Sequence, residues 1–337
     1  DREVRELALP PQPAVGPVAA DVEAVGETLA DRAAGIDGEP RHPVGAARHA
    51  SLADGHEGRL LGHDVDDAAD GALAEQHRGG AAQHLDPLDI TFQPGVNEEL
   101  AATAVWGTQQ VGLSPGARKD GVLGIWYGKG PGVDRSGDVF KHGNAAGSAP
   151  HGGVLCLAGD DHTCKSSTVP HQSDHAFASA IIPCLYPSSI HEFLEIGLLG
   201  IAMSRYSGLW VGMKFISDTV ETTSVVDLSA ESRQFVIPDF GLPPGGVNLR
   251  WPDPPLVQDQ RLQEIKPYAA LAFARANGVD QITMDSPKAR FGIAGSGKAY
   301  EDVRQALFEL GIGDDEAAHI GLRLYKVRMT WPLEPEG

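Results

Sequence analysis

The sequence predicts an α/β protein built on a doubly wound parallel sheet, and two features of the chain support this prediction. Short apolar runs alternate with segments of helical periodicity from about Ile90 onward. Each run is apolar at successive positions, which is typical of strands that are buried on both faces of a parallel sheet. We therefore expect helices to cover both faces.

The elements follow one another in a regular order after Ile90. Asn97 is predicted to cap a helix whose first turn carries Glu98 and Glu99. The runs DGVLGIWYG, GGVLCLAGDD, SAIIPCLYPSS and LWVGMKFIS are predicted as strands. Ser189 and Glu192 form a predicted capping box for a further helix. The predicted buried face of that helix contains Ile190, Phe193, Leu194, Gly197, Leu198 and Ile201.

A second α/β unit is predicted after a proline-rich linker over residues 236–256. It contains a helix around Leu262 to Ala276, the strand ARFGIAGSG, a helix around Tyr300 to Leu310 and the strand IGLRLYKVRM. Because a sheet of two strands looks unfinished, we expect the chain to be truncated at its C-terminus. The predicted divisions are residues 1–88, 89–235, the linker 236–256, and 257–337.

Residues 1–88 differ in composition from the rest of the chain. The first 90 residues hold 18 acidic side chains and 7 arginines but no aromatic residue, lysine, methionine or cysteine. Such a segment buries little apolar surface, so we expect it to be disordered or to form weak helices. An alternative is that it is not a genuine coding segment and reflects a GC-rich stretch translated in the wrong frame or strand.

Charge and composition exclude several classes of function for the 337-residue chain. The formal net charge of −19 repels phosphate backbones, so we expect no nucleic-acid partner. No apolar run is long enough to span a bilayer, and no secretory signal begins the chain, which predicts a cytoplasmic protein with no membrane contact. Three cysteines match no metal-ligand spacing. Six histidines between His42 and His84 have no cysteine or aromatic residue among them to form a metal site, so none is predicted.

Two loops are candidates for ligand binding. The stretch GKGPGVDRSGD, from Gly128 to Asp138, follows a strand and could present backbone N–H groups to a phosphate, although it lacks the Walker and GxGxxG patterns. A structural turn is the alternative. The loop after the next strand collects polar groups at a strand's carboxyl end, where ligands of such sheets bind. These groups are Asp160, Asp161, His162, Lys165, His171 and His175.

Several long phrases of the sequence resemble the fused bacterial indolepyruvate ferredoxin oxidoreductases. They are FQPGVNEELAATAVWGTQQ, DGVLGIWYGKGPGVDRSGDVFKHGNAAG, HGGVLCLAGDDHTCKSSTVPHQSDHAF, YPSSIHEFLEIGLLGIAMSRYSGLWVGMKFISD and LYKVRMTWPLEPEG, in this order. The resemblance implies the pyrimidine-binding domain of a thiamine-diphosphate-dependent enzyme, followed by an incomplete transketolase-C-terminal-like domain. It also implies oxidative decarboxylation of an aryl 2-oxoacid to an acyl-coenzyme A, with electrons passed to ferredoxin.

The resemblance implies one catalytic residue. In this family a glutamate at the start of a helix hydrogen-bonds the aminopyrimidine ring of the cofactor. The spacing to Gly107 assigns this role to Glu98, with Glu99 as the alternative one register away. The cofactor-binding residues predicted beside it are Gly128, Gly130, Pro131, Gly132, Asp160 and His162.

The sequence departs from the family in the parts that complete the reaction. It lacks the substrate-binding segment before Ile90, the GDG motif that holds Mg²⁺ and diphosphate, and the cysteine clusters of iron–sulfur centres. We therefore expect a fragment that is inactive alone, shares thiamine diphosphate with a missing half, forms a dimer, and reaches ferredoxin only through the full enzyme. The alternative is a non-catalytic remnant or interaction module that keeps only the fold.

Overall fold

The computed structural model describes residues 58–63, 84–164, 169–228 and 233–337, all of which belong to one compact unit, residues 50–337. Predictions for the remaining residues, including most of the histidine-rich segment and Lys165, lie outside this description. The strands are β1 Gly58–His63, β2 Ile90–Pro94, β3 Val122–Lys129, β4 Val154–Asp160, β5 Cys184–Leu185, β6 Val211–Ile216, β7 Gln281–Met284, β8 Phe291–Ser296, β9 Leu322–Val327 and β10 Met329–Trp331.

Helices connect these strands and cover them. They are α1 Glu98–Gln109, α2 Gly130–Arg135, α3 Gly137–Ala146, α4 Asp174–Ser179, α5 Phe193–Ser207, α6 Ser217–Val220, α7 Pro255–Glu264, α8 Lys266–Ala276, α9 Gly297–Glu309 and α10 Asp314–Ile320. Single 3₁₀ turns lie at Asp86–Leu88, Val111–Leu113 and Ile190–Glu192.

Within the described residues the strands form two sheets. The large sheet has the order β10-β5-β6-β4-β3-β1-β2, and all its pairings are parallel except that of β10 with β5. The small sheet has the order β7-β9-β8, with β8 parallel and β7 antiparallel to β9. The predicted α/β class and the mostly parallel sheet are thus confirmed.

The two faces of the large sheet carry separate cores. Cys156 and Ala158 of β4 point to a cluster that contains Trp126, Phe140 and Phe177, whereas Leu155 points to a second cluster with Met203 and Phe273. This alternation explains why the strand is apolar at successive positions. A third cluster fills the space between the small sheet and helices α9 and α10, and it includes Tyr300, Leu307 and Leu324.

Strand β1 lies inside the segment that the sequence predicts to be disordered. Its residues Gly58–His63 pair with β2 on one side and with β3 on the other. These six residues are therefore part of the large sheet in this structure. The prediction for the rest of residues 1–83 stays a prediction.

One predicted loop and one predicted strand differ from what the structure shows. The predicted loop from Gly128 to Asp138 instead contains the end of β3, helix α2 and the start of α3. Pro131 occupies the first turn of α2, where its missing N–H costs no intrahelical hydrogen bond. The predicted strand SAIIPCLYPSS is reduced to Cys184–Leu185 between two prolines, which cannot donate to a sheet.

The predicted capping box before α5 is wrong, and of its predicted face Phe193 and Ile201 pack only partly buried against the second core. The Ser189 side chain makes no capping hydrogen bond, and the Glu192 carboxylate instead accepts hydrogen bonds from the backbone N and Oγ of Ser188. The buried side of α5 contains Ile196, Leu199, Gly200 and Met203. Because the helix is apolar on most sides, its periodicity did not identify the side that meets the sheet.

The C-terminal unit also differs from its prediction. The single helix predicted from Leu262 to Ala276 is two helices, α7 and α8, which are separated at Ile265. Pro267 in the first turn of α8 accounts for this break, since a proline ring disrupts an uninterrupted helix. The small sheet has three strands instead of the predicted two, and β10 returns to the edge of the large sheet.

Candidate functional site

Glu98 is buried at the start of α1, and local contacts hold it there. The Asn97 side chain accepts a hydrogen bond from the Leu100 N–H, which caps the helix as predicted. The indole Nε1 of Trp126 in β3 donates to the backbone oxygen of Glu98 at 3.0 Å. Glu98 is 3% exposed, whereas Glu99 is exposed to solvent. Of the two registers considered, the structure therefore places Glu98 inside the protein.

The Glu98 carboxylate has a charged partner that the sequence did not indicate. Its Oε2 lies 2.7 Å from Nη1 of Arg135, the last residue of α2. The Arg135 side chain is half exposed, so the pair joins a buried carboxylate to a group at the surface. A cofactor that used this carboxylate would share it with Arg135.

The glycines predicted to bind the cofactor allow close packing between protein groups. A Cβ added at Gly132 would lie 2.4 Å from Cγ of Glu98, and one at Gly130 would lie 2.1 Å from Nδ1 of His171. A Cβ at Gly128 would lie 2.9 Å from the ring of Trp126. These contacts explain why the stretch is rich in glycine. Ligand binding by Gly128, Gly130, Pro131 and Gly132 stays a prediction.

Asp160, at the carboxyl end of β4, is the centre of a buried polar cluster. Its carboxylate accepts hydrogen bonds from the backbone N of Ser173 at 2.9 Å and from Ser173 Oγ at 2.6 Å. His171 Nδ1 lies 3.4 Å from Oδ1, and the predicted His162 lies farther away, with Nε2 at 3.9 Å from Oδ2. Asp160 and His162 therefore lie near each other, although the contact of His162 with Asp160 is weak, and their binding of a cofactor stays a prediction.

Lys214 of β6 completes this cluster. Its Nζ lies 2.6 Å from Asp174 Oδ2, 3.7 Å from Asp160 Oδ2 and 4.5 Å from the centre of the Tyr186 ring. Burial by itself opposes the charge on both members of the Lys214–Asp174 pair. Their hydrogen bond and opposite charges outweigh burial, which lowers the pKa of Asp174 and raises that of Lys214. The pair therefore stays ionised at neutral pH.

The site collects groups that are distant in sequence at one edge of the large sheet. Glu98 follows β2, Gly130 follows β3, and Asp160 ends β4, so all three lie at carboxyl ends of parallel strands. Such an edge is where parallel α/β sheets bind ligands. Arg135, Ser173, Asp174 and Lys214 are absent from the sequence-based site. Of these four residues, only Lys214 had a local signal in the sequence, because it is a lysine within the apolar strand VGMKFI.

A second buried ionic cluster lies between the two sheets. Oε1 of Glu192 is 2.8 Å from Lys326 Nζ of β9 and 2.8 Å from Nη2 of Arg328. Ser188 Oγ lies 2.9 Å from Glu192 Oε2 and 2.5 Å from Glu301 Oε1 of α9, so these two carboxylates share its single proton.

No described residues form a group of three or more histidine, cysteine, aspartate or glutamate side chains with metal-site geometry.

Comparison with known proteins finds one family. Residues 280–337 match the indolepyruvate ferredoxin oxidoreductase middle domain, and this match covers β7 to β10. The chain therefore contains such a middle domain, which relates it to these enzymes. The match does not extend to residues 90–279, where Glu98 and Asp160 lie. No protein of curated function matches the sequence significantly. Among the described helices, none is long and apolar enough to cross a membrane.

Proposed function

We propose that this chain supplies the pyrimidine-binding part of a thiamine-diphosphate-dependent 2-oxoacid:ferredoxin oxidoreductase of the indolepyruvate type. The observation that supports this most directly is the buried Glu98 carboxylate, which begins a helix directly after a parallel strand. The middle-domain match at residues 280–337 supports the same family. In this proposal residues 89–235 form the pyrimidine-binding domain, and residues 257–337 form a transketolase-C-terminal-like domain.

The start of α1 also borders an apolar cleft. It has a volume of about 140 Å³ and lies between the end of β2 and the first turns of α1, where Pro94, Val96, Leu100 and Ala104 line it and the buried Glu98 does not. Val96 and Leu100 are strongly exposed there, so an apolar ring would bury surface that now meets solvent. The described residues contain no group of acidic, histidine or cysteine side chains that could hold a metal ion, so in this proposal the missing half would hold Mg²⁺ and the diphosphate.

Each protein group near the helix start has a distinct role in this proposal. Glu98 would hold a proton on a carboxyl oxygen against a ring nitrogen, and Trp126 would fix the backbone from which that side chain extends. Arg135 would orient the carboxylate through its contact with Oε2. When bound, thiamine diphosphate would supply a nucleophilic carbon for the decarboxylation of the 2-oxoacid. The low solvent exposure of Glu98 would keep water from competing for the shared proton.

The remaining steps would belong to other parts of a complete enzyme. Iron–sulfur centres, coenzyme A and ferredoxin would be bound by the missing half or by further subunits, and the assembly would be a cytoplasmic dimer. The chain alone is expected to show no reduction of ferredoxin or viologen dyes with pyruvate or indolepyruvate.

The decisive experiment compares Glu98→Gln with Glu99→Gln after the missing half is restored by fusion or co-expression. Glu98→Gln is nearly isosteric, so the chain should fold normally, while 2-oxoacid-dependent dye reduction should fall about 100-fold or more. Glu99 is exposed one position along the helix, and its variant should lose far less activity. Equal losses would indicate an effect on the helix start.

Full activity of Glu98→Gln would contradict the proposal. If the restored assembly shows no activity with any 2-oxoacid while it remains folded and assembled, the chain acts instead as a non-catalytic interaction module. The contact between Arg135 and Glu98 is the observation that favours this second function, because it already satisfies the buried carboxylate without a cofactor.

A further inference from the structure

Helix α2 is short and depends on other elements for its position. It spans only six residues, Gly130–Arg135, and isolated helices of this length are unstable in water. Its first residue packs directly on an imidazole, since a Cβ at Gly130 would overlap His171 Nδ1. Near its other end, Asp134 Oδ2 lies 2.8 Å from Nε2 of the same imidazole. His171 therefore contacts both ends of this helix.

His171 is itself held by a fixed group of the core. Its Nδ1 lies 3.4 Å from Oδ1 of Asp160, whose side chain is completely buried and is held by two hydrogen bonds from Ser173. The His171 side chain is 11% exposed. The imidazole therefore connects a rigid carboxylate at the end of β4 to the carboxylate of a helix that would otherwise be weakly held.

The same helix fixes the orientation of Glu98. Gly132 of α2 packs against Cγ of Glu98, and Arg135 of α2 contacts its Oε2. A small shift of α2 would therefore change both the space around the Glu98 carboxylate and the carboxylate oxygen that pairs with Arg135. The position of Glu98 thus depends on whatever holds α2.

We infer that His171 is a positioning residue for Glu98, because it bridges Asp160 and Asp134 and so holds α2 and Arg135 against the Glu98 carboxylate. The bridge itself is independent of any cofactor. Its use in catalysis rests on the function proposed above. The ionisable neighbours of the bridge are Lys214, 3.7 Å from Asp160, and His162, 3.9 Å from the same carboxylate.

The bridge is tested in the full chain with His171→Gln, using His175→Gln in the nearby helix α4 as the control because His175 is exposed. Amide hydrogen exchange in residues 130–135 should become about tenfold faster in His171→Gln, while exchange in α5 stays unchanged. Modification of Arg135 by phenylglyoxal should become several-fold faster, because its guanidinium is released from Glu98. Unchanged exchange and labelling would overturn the inference.

A second variant covers the case in which His171→Gln does not fold. Asp134→Asn alters the more exposed end of the bridge, where the side chain is 64% exposed, and it should change exchange and labelling in the same direction. A variant that loses protection across all elements alike would show a general structural role and would also overturn the inference.

The restored enzyme separates this inference from the proposed function. There His171→Gln should lower kcat about tenfold with little change in KM, and the pH dependence of kcat should shift because the environment of Glu98 changes. If His171→Gln loosens α2 but leaves kcat and its pH profile intact, positioning is refuted while Glu98→Gln still tests the function. If Glu98→Gln is fully active, the function fails although the bridge can still be measured.

Discussion

At the scale of single residues, one glycine of α2 and one of α3 show how packing decides a residue type. Gly132 and Gly137 are both helical, and neither has a positive φ. A Cβ at Gly132 would meet the Glu98 side chain, whereas a Cβ at Gly137 would meet nothing within 4 Å. The two positions therefore separate the effect of contact with Glu98 from the general effect of glycine on a helix.

Gly132→Ala is expected to destabilise the chain by about 1–3 kcal/mol, because Glu98 or α2 must move to admit the methyl group. Gly137→Ala should be neutral or stabilising by up to about 1 kcal/mol, since alanine favours helices and meets no neighbour there. Urea unfolding monitored by circular dichroism measures both. Equal effects of the two changes would show that Gly132 is not in contact with Glu98.

At the scale of elements, β1 is the main departure from the composition-based prediction. A composition without aromatic residues indicates a segment that forms no core of its own. Strand β1 needs no core of its own, because β2 and β3 supply hydrogen-bonding partners on both of its edges. A central strand uses its N–H groups in the ladder, which makes β1 sensitive to proline.

Leu61→Pro should destabilise the chain by about 2–4 kcal/mol, because proline removes a ladder donor and its ring does not fit a central strand. Val225→Pro, in an exposed segment without helix or strand, serves as the control and should change the midpoint of thermal unfolding very little. If residues before Ile90 are foreign to the fold, both variants will unfold at the temperature of the unaltered chain.

At the scale of the whole molecule, the ionic cluster at Glu192 connects the two sheets. Glu192 precedes α5, which packs on the large sheet, whereas Lys326 belongs to the small sheet. Burial alone would raise the pKa of the Glu192 carboxyl. The charge of Arg328 and the hydrogen bond from Lys326 outweigh burial and hold this pKa below its ordinary value of 4.5. The cluster therefore stabilises the fold while Glu192 is ionised.

Glu192→Gln should cost about 2–4 kcal/mol at pH 7, since it removes the nearest carboxylate of two buried cations and leaves Lys326 only Glu301, 3.5 Å away. Because the folded pKa is lowered, the contribution of Glu192 is present above pH 4.5 and is lost as the pH falls below it. Urea unfolding at several pH values should thus show a weaker acid dependence for Glu192→Gln. Asp302→Asn, which breaks an exposed pair with Lys298, is the control and should cost less than about 1 kcal/mol.

The sequence alone determined the helix cap at Asn97, the alternating burial in β3 and β4, and the α/β class. The Asn97 cap and the burial pattern of β3 and β4 follow from hydrogen bonds and side-chain alternation within a few positions. The α/β class follows from the order of such elements. Glu98 was identifiable as a first-turn acid, whereas strand β2 before it was not predicted from the sequence.

Only the tertiary structure decided which groups meet across the fold. Arg135 contacts Glu98 from 37 positions away, and Lys326 contacts Glu192 from 134 positions away. The buried side of α5 and the pairing of β1 likewise depend on surfaces supplied by distant elements. Long-range ionic and packing contacts outweigh local preferences because a buried charge or strand edge that lacks a partner costs several kcal/mol, about as much as the net stability of a domain.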